Sequence, residues 1–170
     1  ANVQYLAKGQ TATETFSITA RDGNGGMVTQ LITVMITGAN DHVVISSAVQ
    51  AGAVVEDGVA SATGEIAFSD VDLSDAHTAS FSGTATYGSF SLGELSDTVG
   101  GVGGRQPWTY TIDNAKAQEL AAGQVVTETF VVSVSDGQGS TQEQTVTVTI
   151  TGANDVPIIT PDTGQKPNLR

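Results

Sequence analysis

Phe130-Val131-Val132-Ser133-Val134-Ser135-Asp136-Gly137-Gln138-Gly139 and, a little further on, Gln144-Thr145-Val146-Thr147-Val148-Thr149-Ile150-Thr151 decide the fold of this chain. Phe130, Val132 and Val134 fall on one face of an extended segment. Val146, Val148 and Ile150 fall on one face of the next, with Thr145, Thr147, Thr149 and Thr151 on the other. A period of two residues places alternate side chains on opposite faces of a strand. The glycine-rich connection Asp136–Gly139 closes the two segments into an antiparallel hairpin.

The same pattern occurs earlier. Residues 1–45 align without a gap on residues 115–159, with Gly38 against Gly152, an offset of 114 residues. About half the aligned positions are identical. Both copies run L-A-x-G-Q, T-E-T-F, D-G-x-G, a threonine-rich alternation and I-T-G-A-N-D. Phe16 and Ile18 match the face of Phe130, and Ile32, Val34 and Ile36 match that of Val146. The period is the size of one ordinary domain. It divides the chain into the tail of a preceding repeat (residues 1–39), a complete repeat with its linkers (40–155), and the start of a following linker or a tail (156–170). Repetition at this scale marks a spacer or display architecture more often than a catalyst.

Working outward, Trp108, Tyr110 and Ile112 alternate with Thr109 and Thr111, and Ile66 and Phe68 alternate with Glu65 and Ala67. Further strands are expected over 43–55, 77–86 and 89–95. A short helix over 115–121 is expected to cross between sheets. This predicts seven strands, lettered A to G in chain order, in an all-β Greek-key sandwich of immunoglobulin or cadherin-like type.

Strand parity then groups acids that lie far apart in sequence. If A runs down and each strand reverses the last, the B–C, D–E and F–G loops meet at the top beside the incoming linker. Asp70 and Asp72 of the B–C loop, Asp136 of the F–G turn, and Asn40 and Asp41 of the linker converge there. At the bottom, Glu56 and Asp57 of the A–B loop meet Asn154 and Asp155 of the outgoing linker. Carboxylates gathered at one end repel one another without a cation. Calcium is the expected occupant, because it accepts six to eight oxygen ligands in flexible geometry. Each acid taken singly also suits ordinary turn chemistry.

Composition narrows the partners. Six basic residues stand against eighteen acidic ones, for a formal net charge of −12. Nucleic acid needs a basic face, so no nucleic-acid partner is expected, and an anionic membrane surface is disfavoured. No apolar run approaches the ~18 residues of a membrane span, so no membrane insertion is expected. The chain has no cysteine, which excludes disulfides and thiolate metal sites.

The complete repeat resembles the VCBS repeat, a cadherin-like module of very large bacterial surface and secreted proteins. The matching segments are Gly64-Glu65-Ile66-Ala67-Phe68-Ser69-Asp70-Val71-Asp72, Tyr87-Gly88, Trp108-Thr109-Tyr110-Thr111-Ile112-Asp113-Asn114, Leu120 with Gly123, Thr129-Phe130 through Asp136-Gly137, and Val146 through Asp155. The closing I-T-G-A-N-D-x-P over Ile150–Pro157 is the most distinctive. The first copy departs from the pattern at Val43, where a proline is usual. The resemblance implies tandem extender modules in extracellular adhesins of the RTX type, exported by type I secretion. They would hold a tip that binds a host or biofilm surface ligand elsewhere in the parent protein, with neighbouring repeats of the same chain as the immediate partners. It implies calcium within or between modules, held by Asn40, Asp41, Asp70, Asp72 and Asp136 above, and Glu56 at the lower junction.

Other features point elsewhere with less force. His42 and His77, the two histidines, lie in no metal-ligand pattern and are expected at the surface or a junction. No G-x-S-x-G elbow is present, and the chain is read as non-enzymatic. Gly100–Gly104 is read as a hairpin tip between D and E. Trp108 is expected in the core. The alternative function is a module that binds glycan or protein through the D–E loop and an exposed Trp108. Residues 1–39 lack an opposing sheet, so they are expected to be disordered, to pack on the complete repeat, or to form a strand-mediated dimer.

Overall fold

Period-two alternation becomes strand pairing from Thr11 to Thr151. The computed structural model describes residues 3–157 and residue 159. Its strands are β1 (Thr11–Arg21), β2 (Met27–Thr37), β3 (Val44–Ile45), β4 (Gln50–Val55), β5 (Ser61–Ser69), β6 (Thr78–Ser82), β7 (Gly88–Leu92), β8 (Gly104–Ile112), β9 (Val125–Ser135) and β10 (Thr141–Thr151). A helical turn, α1 (Asn114–Ala117), precedes β9.

Residues 43–151 form the sandwich. One sheet has the order β3-β5-β8-β7 and the other β4-β10-β9-β6. The expected strands B to G are β5 to β10. The expected strand A is not continuous. It pairs antiparallel with β5 over Val44–Ile45, then crosses over and pairs parallel with β10 over Gln50–Val55. This switch lets one segment close an edge of both sheets, a strong constraint on an open sandwich. The fold is therefore the all-β Greek-key sandwich that the alternation predicted.

The inner faces carry the predicted apolar positions. Ile66, Trp108, Tyr110 and Phe90 of one sheet meet Val54, Phe130, Val132, Val146, Val148 and Ile150 of the other. Trp108 is 1 % exposed and stacks on Phe90 at 5.8 Å, and its Nε1–H donates to Gln50 Oε1 at 3.1 Å. Its ring lies against the backbone at Gly64, where a Cβ would stand 2.4 Å from the indole. Glycine here serves close approach rather than a turn. Burial of Trp108 removes the aromatic platform that the ligand-binding alternative required.

One inner position is charged. Glu128, two residues before Phe130, is 8 % exposed. Its Oε1 accepts the backbone N–H groups of Thr86 at 2.6 Å and Tyr87 at 2.8 Å, and its Oε2 accepts the Tyr110 hydroxyl at 2.8 Å. Burial, reinforced by the Glu128 carboxylate, pushes the Tyr110 hydroxyl far up, so it stays a proton donor. This carboxylate ties β9 to the connection before β7 and to β8, across the two sheets.

β1 and β2 form an ordered hairpin of their own. β1 pairs with β2 from Thr11↔Thr37 to Arg21↔Met27, the register of Val125↔Thr151 to Ser135↔Thr141 in β9–β10. The bonds at its base repeat as well. Gly9 N–H donates to Gly38 O and Gly38 N–H to Gln10 O, as Gly123 does to Gly152 and Gly152 to Gln124. The segment leading into the hairpin meets the top of the sandwich, where Leu73 N–H reaches Tyr5 O at 3.4 Å and Lys8 Nζ donates to Gln138 O at 3.2 Å. Of the three expectations for residues 1–39, disorder is set aside for the described residues. Most of the segment following Asp155 lies outside the described residues.

Candidate metal centre

The tight B–C loop begins where β5 ends. Asp70 Oδ1 accepts the N–H of Asp72 at 3.0 Å, and Asp72 O accepts the N–H of Asp75 at 3.1 Å. The Asx bond and the backbone turn bond that follows it fold the loop so that its acids turn inward. The F–G turn is built the same way. Asp136 Oδ1 accepts three N–H groups, from Gln138 at 2.7 Å and from Gly139 and Ser140 at 3.0 Å. Its Oδ2 is left to accept Nδ2–H of Asn40 in the incoming linker at 2.9 Å. The linker is also held by Asp41 N–H donating to Asp72 Oδ2 at 2.7 Å, and by Val43 N–H donating to Ser140 Oγ at 3.2 Å. The last bond uses the donor that a proline at position 43 would lack.

The result is a cluster of oxygens at the top of the sandwich. One carboxylate oxygen each from Asp70, Asp75 and Asp136 lie within 4.8 Å of one another. Asp70, Asp72 and Asp136 are at most 2 % exposed. Asn40 Oδ1, Asp72 Oδ1 and Asp75 Oδ2 are buried there without a hydrogen-bond partner. Buried polar atoms are otherwise almost always paired, and these acceptors beside a carboxylate cluster could hold a cation. The donor set is all oxygen, with one amide among carboxylates, which suits calcium over softer metals.

Electrostatics point the same way. Burial raises Asp72 above the ordinary carboxylate range, and the charges of Asp70, Asp41 and Asp136 add to that. Asp75 is raised by burial, then by Asp72, Asp70 and Asp136. Asp136 is also pushed up by burial, but the Asn40 amide and its three turn N–H groups outweigh that and leave it lowered. Proton linkage then fixes a sign. A carboxylate with a raised folded-state pKa stabilises the fold when protonated, so its contribution grows as pH falls toward the ordinary value. In chelator, the thermal midpoint should rise as pH falls from neutral toward the ordinary carboxylate pKa of about 4, as Asp72 and Asp75 take up protons. It should fall again at lower pH, where Asp136 loses its advantage. Calorimetry across that range checks this, and a midpoint that only falls on acidification would overturn it.

Of the residues expected at the top, Asn40, Asp70, Asp72 and Asp136 are brought together as predicted. Asp41 is present chiefly through its backbone N–H, and its carboxylate is not among the three that converge. Asp75 belongs to the cluster although parity singled out only its neighbours. Two further residues support it. His77 was expected at the surface or a junction; it is 6 % exposed, with Nε2 3.3 Å from Asp70 Oδ2 and Nδ1 2.7 Å from Asp97 Oδ1. Asp97 also accepts the His77 backbone N–H at 3.0 Å. The D–E loop thereby orients Asp70 through His77, as a second layer of bonds commonly orients a metal ligand. A lone histidine carries no sequence signal for such a role. His42 is exposed, as expected.

At the bottom, Glu56, Asp57 and Asp155 each place a carboxylate oxygen within 4.8 Å of the others. Glu56 is 1 % exposed. Its Oε2 accepts Ala153 N–H at 2.8 Å, while its Oε1 is buried without a partner. Asp57 sits at φ 53°, a left-handed conformation aspartate tolerates, with its N–H donated to Asn114 Oδ1 at 2.9 Å. Asn154 donates Nδ2–H to Asp155 O at 3.1 Å, as Asn40 does to Asp41 O at 2.8 Å. The outgoing linker thus has the local form of the incoming one, and its Asn154 and Asp155 are exposed rather than seated in loops.

No protein-family model matches the chain, and no curated protein sequence matches it. Among solved structures, PcdhgB3 EC1-4 is similar at a TM-score of 0.47 and 18% identity, over 88% of this chain and 33% of that one. Mouse clustered PcdhgC3 EC1-3 is similar at a TM-score of 0.44 and 11% identity, over 87% and 44%. Domains 4 and 5 of the S-layer protein SbsC are similar at a TM-score of 0.37 and 13% identity, over 83% and 76%. The chain spans about a third of the length of the first of these.

Proposed function

We propose that this chain is a structural extender repeat of a large secreted or surface-exposed bacterial adhesin, non-enzymatic, and stiffened by calcium at the joints between repeats. One observation carries the reading. At the junction where one copy of the repeat meets the next, Asp70, Asp75 and Asp136 converge, and Asn40 Oδ1, Asp72 Oδ1 and Asp75 Oδ2 are buried there without partners. These residues would hold the ion, and Glu56, Asp57 and Asp155 would begin a second site below. Because Asn40 and Asp41 belong to the linker and the others to the sandwich, a shared cation would fix the angle at which one module leaves the last. Extracellular modules of this kind bind calcium at roughly 10⁻⁴–10⁻³ M. Such a site stays empty in a low-calcium cytosol and fills outside the cell, which supports an extracellular location. The Asn side-chain bond to the Asp backbone oxygen that both linkers share supports neighbouring repeats of the same chain as the immediate partners.

Isothermal titration tests this directly. Calcium should bind with a dissociation constant in the range of about 10⁻⁴–10⁻³ M, and magnesium, which prefers a small octahedral and partly hydrated seat, should be much weaker. Absence of calcium heat, or equal binding of the two ions, would overturn the proposal.

A further inference from the structure

β1–β2 repeats β9–β10 pair for pair, yet the two hairpins differ in what covers them. Phe16, Ile18, Ile32 and Val34 are 51%, 55%, 41% and 42% exposed, while their equivalents Phe130, Val132, Val146 and Val148 are at most 1% exposed. In β9–β10 the cover is the sheet of β3, β5, β8 and β7, and the contact is keyed by Glu128, which accepts two N–H groups and a tyrosine hydroxyl from that half. Glu14 stands at the Glu128 position, on the same face as Phe16.

We propose that β1–β2 is the acceptor half of a second sandwich, and that Glu14 selects its occupant: a segment of a preceding repeat built like β3–β8. That segment would carry a tyrosine at the Tyr110 position and a turn like Thr86-Tyr87 whose backbone N–H groups face the carboxylate. The inference rests on the tandem-repeat reading above. Two other occupants fit less well. A second copy stacked hairpin on hairpin would press two Glu14 carboxylates into a largely apolar seam that lacks the tyrosine hydroxyl and paired backbone N–H groups met by Glu128. A swap, with β1–β2 of one copy displacing β9–β10 of another, bares as much apolar surface as it covers.

The test is an extended chain in which a copy of residues 40–114 is fused directly before Ala1, compared with the chain itself by amide hydrogen exchange, in chelator and in calcium. In the extended chain the β1–β2 amides should slow by about two orders of magnitude or more, approaching those of β9–β10, and the chain should stay monomeric. Glu14→Ala in the extended chain should restore fast exchange to the first sandwich and leave the second unchanged. Glu14→Gln, which keeps an acceptor for the two N–H groups, should retain most of the protection. The proposal is overturned if β1–β2 exchanges equally fast in both chains. It is also overturned if Glu14→Ala changes nothing, or if the unextended chain is a dimer whose β1–β2 is already protected. Protection in chelator does not depend on calcium, so failure of the calcium reading leaves this result distinct.

Discussion

In chelator, Asp72→Asn should unfold several degrees above the parent chain, and it should lack the rise in midpoint that calcium should give the parent. Asp72 is fully buried. Its Oδ2 accepts the Asp41 N–H at 2.7 Å, and its Oδ1 has no partner among the surrounding acids. Asparagine keeps the acceptor and turns the orphaned oxygen into a donor facing carboxylates. It also removes one buried charge from a group of like charges. Together these changes should stabilise the ion-free fold by about 1–2 kcal/mol. For a domain of this size that is a rise of about 4–10 °C. In the parent, ~5 mM calcium at a dissociation constant of about 10⁻⁴–10⁻³ M should contribute about 1–2 kcal/mol, a rise of similar size. The variant has lost a ligand and a charge from the seat and should show little of it. Thermal unfolding of both chains in both buffers gives four midpoints. A variant less stable than the parent in chelator would mean that Asp72 is a turn residue and the cluster is not strained by its charge.

Glu128→Ala should cost about 3–5 kcal/mol, with or without calcium. It strands the N–H groups of Thr86 and Tyr87 and the Tyr110 hydroxyl, each of which bonds the carboxylate at 2.8 Å or less. A buried donor left unpaired costs about 1–3 kcal/mol, and the missing side chain adds a void. Against a total stability of about 5–15 kcal/mol this is a large share. Glu128→Gln should be far milder, because its carbonyl still accepts both backbone groups. Tyr110→Phe should fall between them. In a double-mutant cycle Tyr110→Phe and Glu128→Ala should be clearly non-additive, since they share one bond. Urea unfolding of the parent, the three single variants and the double variant measures all five chains. A Glu128→Ala cost below about 1 kcal/mol would show that the carboxylate is not the tie across the sheets.

The two predictions differ in how far the sequence announces them. Asp72 was legible because it combines a loop position with strand parity, and parity is fixed once the number of strands is known. The same logic placed Asn40, Asp70 and Asp136 at the top, and Glu56, Asp57 and Asp155 at the bottom. What parity cannot reach is contact between loops. Asp97 meets His77, and His77 meets Asp70, through the folded path of the D–E loop, which no periodicity encodes. The break between β3 and β4 was hidden for a similar reason. Residues 43–55 have the composition of one strand, and only the competition of two sheet edges for its backbone splits it. Glu128 did leave a trace. In T-E-T-F the glutamate lies two residues from phenylalanine, hence on the apolar face, and a charge there needs a buried partner.

The parallel pairing of β4 with β10 has a mechanical consequence. The chain enters the sandwich beside the top loops, leaves it below Thr151, and is carried near each end by one of these two strands. Tension applied through the linkers pulls β4 and β10 in opposite directions along their length. The six residue pairs from Val146↔Gln50 to Thr151↔Val55 are then loaded together in shear, instead of being unzipped one at a time. A tether under fluid drag would thus meet its highest rupture barrier along the direction in which it is pulled, and the same sandwich pulled across β6 and β9 would peel open at far lower force.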